Sequence, residues 1–306
     1  MRTNYIFIIG VQKAGTTALA GWLVRNGFAA YAVPDVKEPG NFLRFGLTSP
    51  LPPPRGDVPL LDASTGYFGN RKVVSRMPEH RVRVAVCLRN PLERTWSAYR
   101  MMKLITQQGA GADAYLQRFH AAAETPQALE RAAWYQARRE LTAQGFPRIS
   151  ARAVERHFDA EAERLRSGTF LQRLQYELGF YLARREFPFF SVLAFSFYYR
   201  GLRMLIEKYQ QEDIVILSMD RMANANARGQ MVERLTGRGE PGPELGVSFS
   251  LDDLAFDEPT PDFSSPDLAN FRNAFAFDLD QTLAMLARHH VATDLVNEAE
   301  LRRHLG

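Results

Sequence analysis

The segment YIFIIGVQKAGTTAL (residues 5–19) sets one ammonium and two hydroxyls around a pair of glycines. Gly10 and Gly15 have the GxxxxG spacing of a loop that cradles phosphate between an apolar strand and a helix start. Main-chain N–H groups of such a loop, and of the helix N-terminus behind it, converge on an anion, and the helix dipole adds favourable potential. Gly10, Lys13, Ala14, Gly15, Thr16 and Thr17 are therefore the expected anion-binding set. Gly15 lets the backbone approach oxygens closely, the two threonines add hydroxyl donors and Lys13 adds charge. The nucleoside-triphosphate pattern GxxxxGK[ST] is matched only in part, because its lysine follows the second glycine, where this chain has Thr16. A plain strand-to-helix turn is the bland alternative, and it leaves Lys13 beside two hydroxyls unexplained.

A second segment, VRVAVCLRNPLERTWSAYR (82–100), again reads as strand, turn and helix. Arg89 falls at the carboxyl end of the strand and Ser97 two turns further on. Ligands of open α/β sheets bind at strand carboxyl ends, and a guanidinium offers a fork of N–H donors to an anion. Pro91 suits the first turn of the helix, and Arg-Asn-Pro alone reads equally well as a helix cap. Taken together, two strand-end anion sites point to a ligand with two separated anionic groups.

Positioning those residues requires a sheet. Four runs, 5–11, 58–63, 82–88 and 214–219, read as strands, three of them nearly continuously apolar as parallel strands covered on both faces are. Helical patterns follow at 16–25 and 92–102, and a last helix is expected over 268–288. Residues 112–210 read as consecutive helices broken at Pro126, Gly145–Pro147, Gly168 and Pro188. Within them the apolar run 187–199 continues a helical stripe, Val192, Phe195, Tyr199, Leu202, Leu205, Ile206 and Tyr209, and is expected to be a buried helix. Residues 49–59 and 237–246 are Pro- and Gly-rich loops. The expected fold is α/β, a P-loop-type central parallel sheet flanked by helices, in one domain over 1–306 with a helical insertion at about 105–210 and a variable region at about 237–306.

Composition narrows the classes. The chain has 306 residues, 46% hydrophobic and 24% charged, which excludes disorder and small disulfide-stapled folds. Lys plus Arg number 38 against 34 Asp plus Glu, a net charge of +4 with no basic stripe, so nucleic acid is not an expected partner. The single cysteine, Cys87, allows no internal disulfide and no Cys-based metal cluster, and suits a reducing compartment. The apolar runs are too short to span a membrane, no signal peptide is expected, and the expected location is cytoplasmic.

Taken together, the two segments resemble the sulfotransferase family that uses 3′-phosphoadenosine 5′-phosphosulfate, nearest to its glycan-modifying and bacterial branches. GVQKAGTTAL resembles that family's 5′-phosphosulfate loop, and VCLRNPLERTWSAYR its 3′-phosphate motif, which implies that Arg89 and Ser97 bind the 3′-phosphate. KEPGNF (37–42) resembles the element that supplies a catalytic carboxylate, here Glu38. DASTGYF (62–68) and the helix–strand unit 199–222 agree, the latter with Asp220 in place of the usual Glu. The resemblance spans residues 5–222 and departs in two places. Ala63 stands where heparan-type enzymes often have lysine, and their late basic glycine-rich loop with a Cys pair has no counterpart. The stretch LDDLAFDEPTPDF (251–263) holds five carboxylates and would repel a polyanionic acceptor if it lined the cleft.

The resemblance implies transfer of a sulfuryl group to a hydroxyl or amine of a small molecule, lipid or glycan, releasing 3′-phosphoadenosine 5′-phosphate without a metal. Lys13 would neutralise the leaving phosphate and Glu38 would serve as general base. Five lysines stand against 33 arginines, so the lysine in the loop goes against the chain's usage; a compact ammonium suits a bridging oxygen better than a planar guanidinium. Glu38 could instead be only the salt-bridge partner of Lys37, and His157 is the alternative base among six scattered histidines. Aromatics of the insertion, such as Trp134, Phe158 and Phe170, could stack on an acceptor or simply fill the core. Rival readings are a magnesium-dependent P-loop kinase or triphosphatase, with Asp62 or Asp220 on the metal, and a non-catalytic nucleotide-binding module.

Overall fold

The structure is a computed structural model that describes residues 3–43, 51–53, 56–106, 117, 121, 150–188, 190–240, 242–245 and 256–306. Strand β1 (Tyr5–Gly10) is YIFIIG, and Ile6, Ile8 and Ile9 are wholly buried, as a strand covered on both faces requires. Helix α1 (Thr16–Arg25) follows the loop, then β2 (Ala30–Tyr31), β3 (Leu60–Asp62) and a short helix α2 (Arg71–Arg76). β4 (Val82–Leu88) runs into α3 (Pro91–Thr106), and β5 (Ile214–Ser218) completes the sheet. All pairings are parallel and the strand order is β2-β3-β1-β4-β5. The chain leaves β1 toward β3 and leaves β4 toward β5, so the order reverses between β1 and β4. That reversal is where an open parallel sheet forms its ligand crevice.

Helices α4 (Ala151–Ser167) and α5 (Phe170–Arg184) come from the expected insertion and meet at Gly168, one of the predicted breaks. Thr169 opens α5 with a capping box completed by Gln172. α6 (Tyr199–Ile206), α7 (Ala225–Thr236), α8 (Ala269–Arg288) and α9 (Glu298–Arg302) follow. α4 and α8 pack with α3, α6 packs with α8 and α2, and α7 lies on β4 and β5. The predicted breaks at Pro126 and Gly145–Pro147 lie outside the described residues, as do parts of both predicted loops.

Two expectations need correction. β2 is a two-residue strand that no apolar run announced. Among the described residues of 187–198 the chain forms a 3-10 turn, Ala194–Ser196, and no α-helix; the helix begins at Tyr199. The buried carboxylate of Glu177 takes the N–H groups of Val192 (2.8 Å) and Leu193 (3.0 Å), while Ser191 Oγ takes that of Ala194 (2.9 Å). Those donors are satisfied by side chains, so the backbone has no need of a helical ladder there. The apolar stripe nevertheless reports burial, for Val192, Leu202 and Leu205 are fully covered.

Candidate functional site

The loop after β1 turns through left-handed backbone at Lys13 (φ 71°) and Gly15 (φ 91°), and the N–H of Ala14 donates back to Val11 O (3.1 Å). Gly15 is the N-cap of α1 and offers no side-chain acceptor, so the first N–H groups of that helix carry no side-chain cap. A Cβ at Gly15 would lie 2.1 Å from Met219 Cγ, so close approach of the β5 turn demands glycine as much as the backbone angle does. Thr16, where a triphosphate-binding lysine would stand, is buried, whereas Thr17 and Lys13 are half-buried. Burial pulls Lys13 down to about 7, and Arg89, Arg94, Arg100 and Lys37 push in the same direction. An ammonium hemmed in by four other cations is a place prepared for negative charge.

Two guanidiniums, Arg89 in the β4–α3 turn and Arg94 in the first turn of α3, grip this loop by its carbonyls. Arg94 is fully buried and donates from Nε to Gln12 O (2.8 Å) and from Nη1 to Val192 O (2.5 Å) and Ser196 Oγ (3.0 Å). Burial draws its pKa down to about 10. Arg89 lies on the surface and donates from Nη1 to Lys13 O (3.4 Å) and from Nη2 to Glu93 (3.4 Å). Tyr198 in turn donates its hydroxyl to the Arg89 carbonyl. Asn90 caps α3, accepting from the N–H groups of Leu92 (3.1 Å) and Glu93 (3.2 Å), so the cap reading of Arg-Asn-Pro holds alongside the placing of Arg89 at the switch point.

On the other side of β1, Glu38 follows β2 and is tied to the end of β3. Lys37, only 2% exposed, donates to Glu38 Oε1 (2.6 Å) and to Ala63 O (3.2 Å), while Thr65 Oγ1 reaches Glu38 Oε2 (3.4 Å). The predicted Lys37–Glu38 pair is therefore real, and it aims the carboxylate from a buried anchor. Asp62 organises the same corner: Ser64 Oγ (2.5 Å) and the Tyr67 hydroxyl (2.7 Å) donate to it. Ser64 Oγ and Tyr67 OH then accept the N–H groups of Gly40 (3.0 Å) and Phe42 (3.4 Å). The segment 62–68 thus holds the Glu38 loop in place. Burial pushes Asp62 up to about 6, the nearby Glu38 adding to it and the bonds from Ser64 and Tyr67 opposing it.

The carboxyl edge of the sheet thus presents, in spatial order, the Glu38–Asp62 corner, Lys13, Arg89 and Asp220, with neighbouring strands about 4.8 Å apart. Ser97 lies half-buried two turns along α3. Asp220 accepts from Asn297 Nδ2 (2.6 Å). The alternative base His157 sits on α4, its ring 6.4 Å from that of Phe180 on α5. Phe158 and Phe170 are core, and Trp134 lies outside the described residues. Of the acidic stretch, Glu258 is committed inside the protein, accepting from Tyr99 (2.7 Å) and from the N–H of Phe170 (2.8 Å). Burial pushes the Cys87 thiol up to about 12 and leaves it inert. Arg94 was missed by sequence reasoning. Its signal was an arginine heading the stripe Arg94, Ala98, Met101 and Ile105, all buried on one face of α3.

Fold and site together define an α/β protein with a five-stranded parallel sheet flanked by helices and a glycine- and lysine-bearing loop at its switch point. No family model matches the chain, and no curated protein matches it. Among solved structures it is similar to a sulfotransferase from Alicyclobacillus acidocaldarius, at 16% identity over 94% of this chain and 97% of that one, with a TM-score of 0.49. Among the described residues no helix is long and apolar enough to cross a membrane, and no group of three or more His, Cys, Asp or Glu is disposed to hold a metal.

Proposed function

We propose that this chain is a sulfotransferase using 3′-phosphoadenosine 5′-phosphosulfate. The observation that carries the reading is the joint placing of Lys13 and Arg89, an ammonium inside the loop and a guanidinium one strand away that hydrogen-bonds the lysine's own carbonyl. A triphosphate enzyme would need a lysine where Thr16 lies buried. The donor set fits a co-substrate with two separated anions: loop N–H groups, Thr16, Thr17 and Lys13 for the 5′-phosphosulfate, Arg89 and Ser97 for the 3′-phosphate.

The co-substrate supplies an activated sulfuryl group whose bond to a 5′-phosphate oxygen breaks during transfer. Lys13 neutralises the charge that collects on that leaving oxygen, and the loop N–H groups hold the phosphate in line. Glu38 takes the proton from the acceptor's hydroxyl or amine as the acceptor's lone pair forms the new bond to sulfur; a positioned base of this kind contributes about 10²–10⁴-fold. Lys37 supports that step by fixing Glu38 Oε1 and leaving Oε2 on a long 3.4 Å contact that an acceptor can displace. The acceptor class is a small molecule, lipid or glycan. Incubation with sulfur-labelled donor and an acceptor panel tests the reading: a product heavier by one sulfuryl group, formed in the presence of a metal chelator, supports it. Hydrolysis of ATP with magnesium and no transfer from the sulfur donor would replace it with the triphosphatase reading.

A further inference from the structure

The last turn of the chain reaches the same strand end by a route the sequence does not announce. The segment after α8 crosses the carboxyl ends of β5 and β4. Ser218 N donates to Leu295 O (3.0 Å), Asn297 N donates to Ser218 Oγ (2.9 Å), and Asn90 Nδ2 donates to the carbonyls of Leu301 (3.1 Å) and Arg303. Leu301 and Leu305 are buried beneath it. This hook delivers the guanidinium of Arg303 to Glu93 Oε1 (2.5 Å), its Nη2 shared with Glu300 Oε1 (2.6 Å), and His304 Nε2 lies 3.6 Å from the same Glu93 oxygen. Arg89 reaches the other oxygen, Oε2, at 3.4 Å. One carboxylate is thus clasped by the cation four positions before it and by one 210 positions after it, 15% exposed itself while Arg89 and Arg303 are 42% and 50% exposed.

We propose that Arg303 is a ligand-binding residue for the anion held by Arg89, and that Glu93 keeps the two guanidiniums facing each other until a phosphate arrives. The proposal rests on the nucleotide reading above and adds to it a residue from the C-terminal hook. A surface ion pair between Arg303 and Glu93 is worth little by itself. A phosphate dianion offers twice the charge of the carboxylate and an oxygen for each fork, so it displaces Glu93 from between the arginines. The anchored backbone keeps Arg303 in reach at small entropic cost, because Asn90 holds its carbonyl directly.

Calorimetric titration with adenosine 3′,5′-bisphosphate and with adenosine 5′-monophosphate separates the possibilities, since the two differ in one phosphate. Arg303→Ala is expected to weaken the bisphosphate about tenfold and leave the monophosphate within about twofold, a loss of roughly 1.4 kcal/mol confined to the 3′-phosphate. Glu93→Gln, which removes the competing carboxylate and disturbs the hook less, is expected to tighten the bisphosphate several-fold. Unchanged bisphosphate affinity in Arg303→Ala, with affinity lost in Arg89→Ala, would overturn the proposal and leave the nucleotide reading standing. A folded wild-type protein that binds neither nucleotide would overturn both.

Discussion

Arg94 donates from Nε to the carbonyl oxygen of Gln12 over 2.8 Å, so a fully buried cation on α3 fixes the residue that precedes Lys13. The loop is held by its carbonyls, Gln12 O by Arg94 and Lys13 O by Arg89. Arg94→Met keeps the side chain's bulk but drops both carbonyl anchors. It is expected to lower stability by about 1.5–3 kcal/mol, the range for a hydrogen bond to a charged group, and to weaken nucleotide binding. Denaturant midpoints and calorimetry on the same preparation check both effects.

Lys13→Ala and Lys13→Arg should each lose turnover by orders of magnitude, on the order of 10²-fold or more, because a planar guanidinium cannot take the ammonium's place against the leaving oxygen. Binding of the bisphosphate product should survive better in Lys13→Arg than in Lys13→Ala. A near-normal rate in Lys13→Arg would show that charge alone suffices there.

The depressed pKa of Lys13, about 7 against an ordinary 10.5, gives ligand binding a proton signature. In the free protein above pH 7 the amine is largely neutral. A bound phosphate favours its charged form, so at pH 8 binding takes up a proton, and at pH 6, where the amine is already charged, it takes up none at this residue. Titrations in two buffers of different ionisation heat at each pH measure the uptake. Equal heats at pH 8, or uptake that persists in Lys13→Arg, would contradict this assignment.

Much of this was legible locally. Buried parallel strands announce themselves as apolar runs, and the Gly10–Gly15 spacing with Lys13 between is a contiguous pattern, so β1, α1, β4, α3 and β5 were all readable. What escaped depends on partners remote in sequence. Asn90 and its Leu301 carbonyl are 211 positions apart, and Arg94 and Val192 are 98 apart. The 187–198 helix failed for the same reason, since a helical stripe records which side chains are buried and says nothing of Glu177 satisfying the N–H groups. β2 is simply too short to leave a pattern.

Asp62 and its two donors should act on the base without touching the nucleotide. Ser64→Ala or Tyr67→Phe frees the 37–42 loop, and kcat should fall about tenfold while bisphosphate affinity stays within about twofold. Asp62 also carries a pH signature. Its folded pKa of about 6 exceeds the ordinary 3.8, so its contribution to stability is fully present below about pH 3.8 and is lost as pH rises through 6. Asp62→Asn should remove up to about 3 kcal/mol of that decline, read as denaturant midpoints at pH 4 and pH 7. Asp278, pushed up to about 6 by burial, declines alongside it and is common to both proteins.

Gly15→Ala combines a positive φ with a Cβ placed 2.1 Å from Met219 Cγ, and is expected to cost about 1–3 kcal/mol. Pairing it with Met219→Ala should recover the part due to the clash and leave the backbone strain. Full stability of the single variant would mean that the loop tolerates another course.

The most direct measurement is a calorimetric titration of the wild-type protein and Arg89→Ala with adenosine 3′,5′-bisphosphate, magnesium chelated. The two-anion site predicts saturable binding of one nucleotide per chain by the wild type, and at least about tenfold weaker binding once the guanidinium is gone. No heat with folded wild-type protein, or identical isotherms for the two, would contradict it.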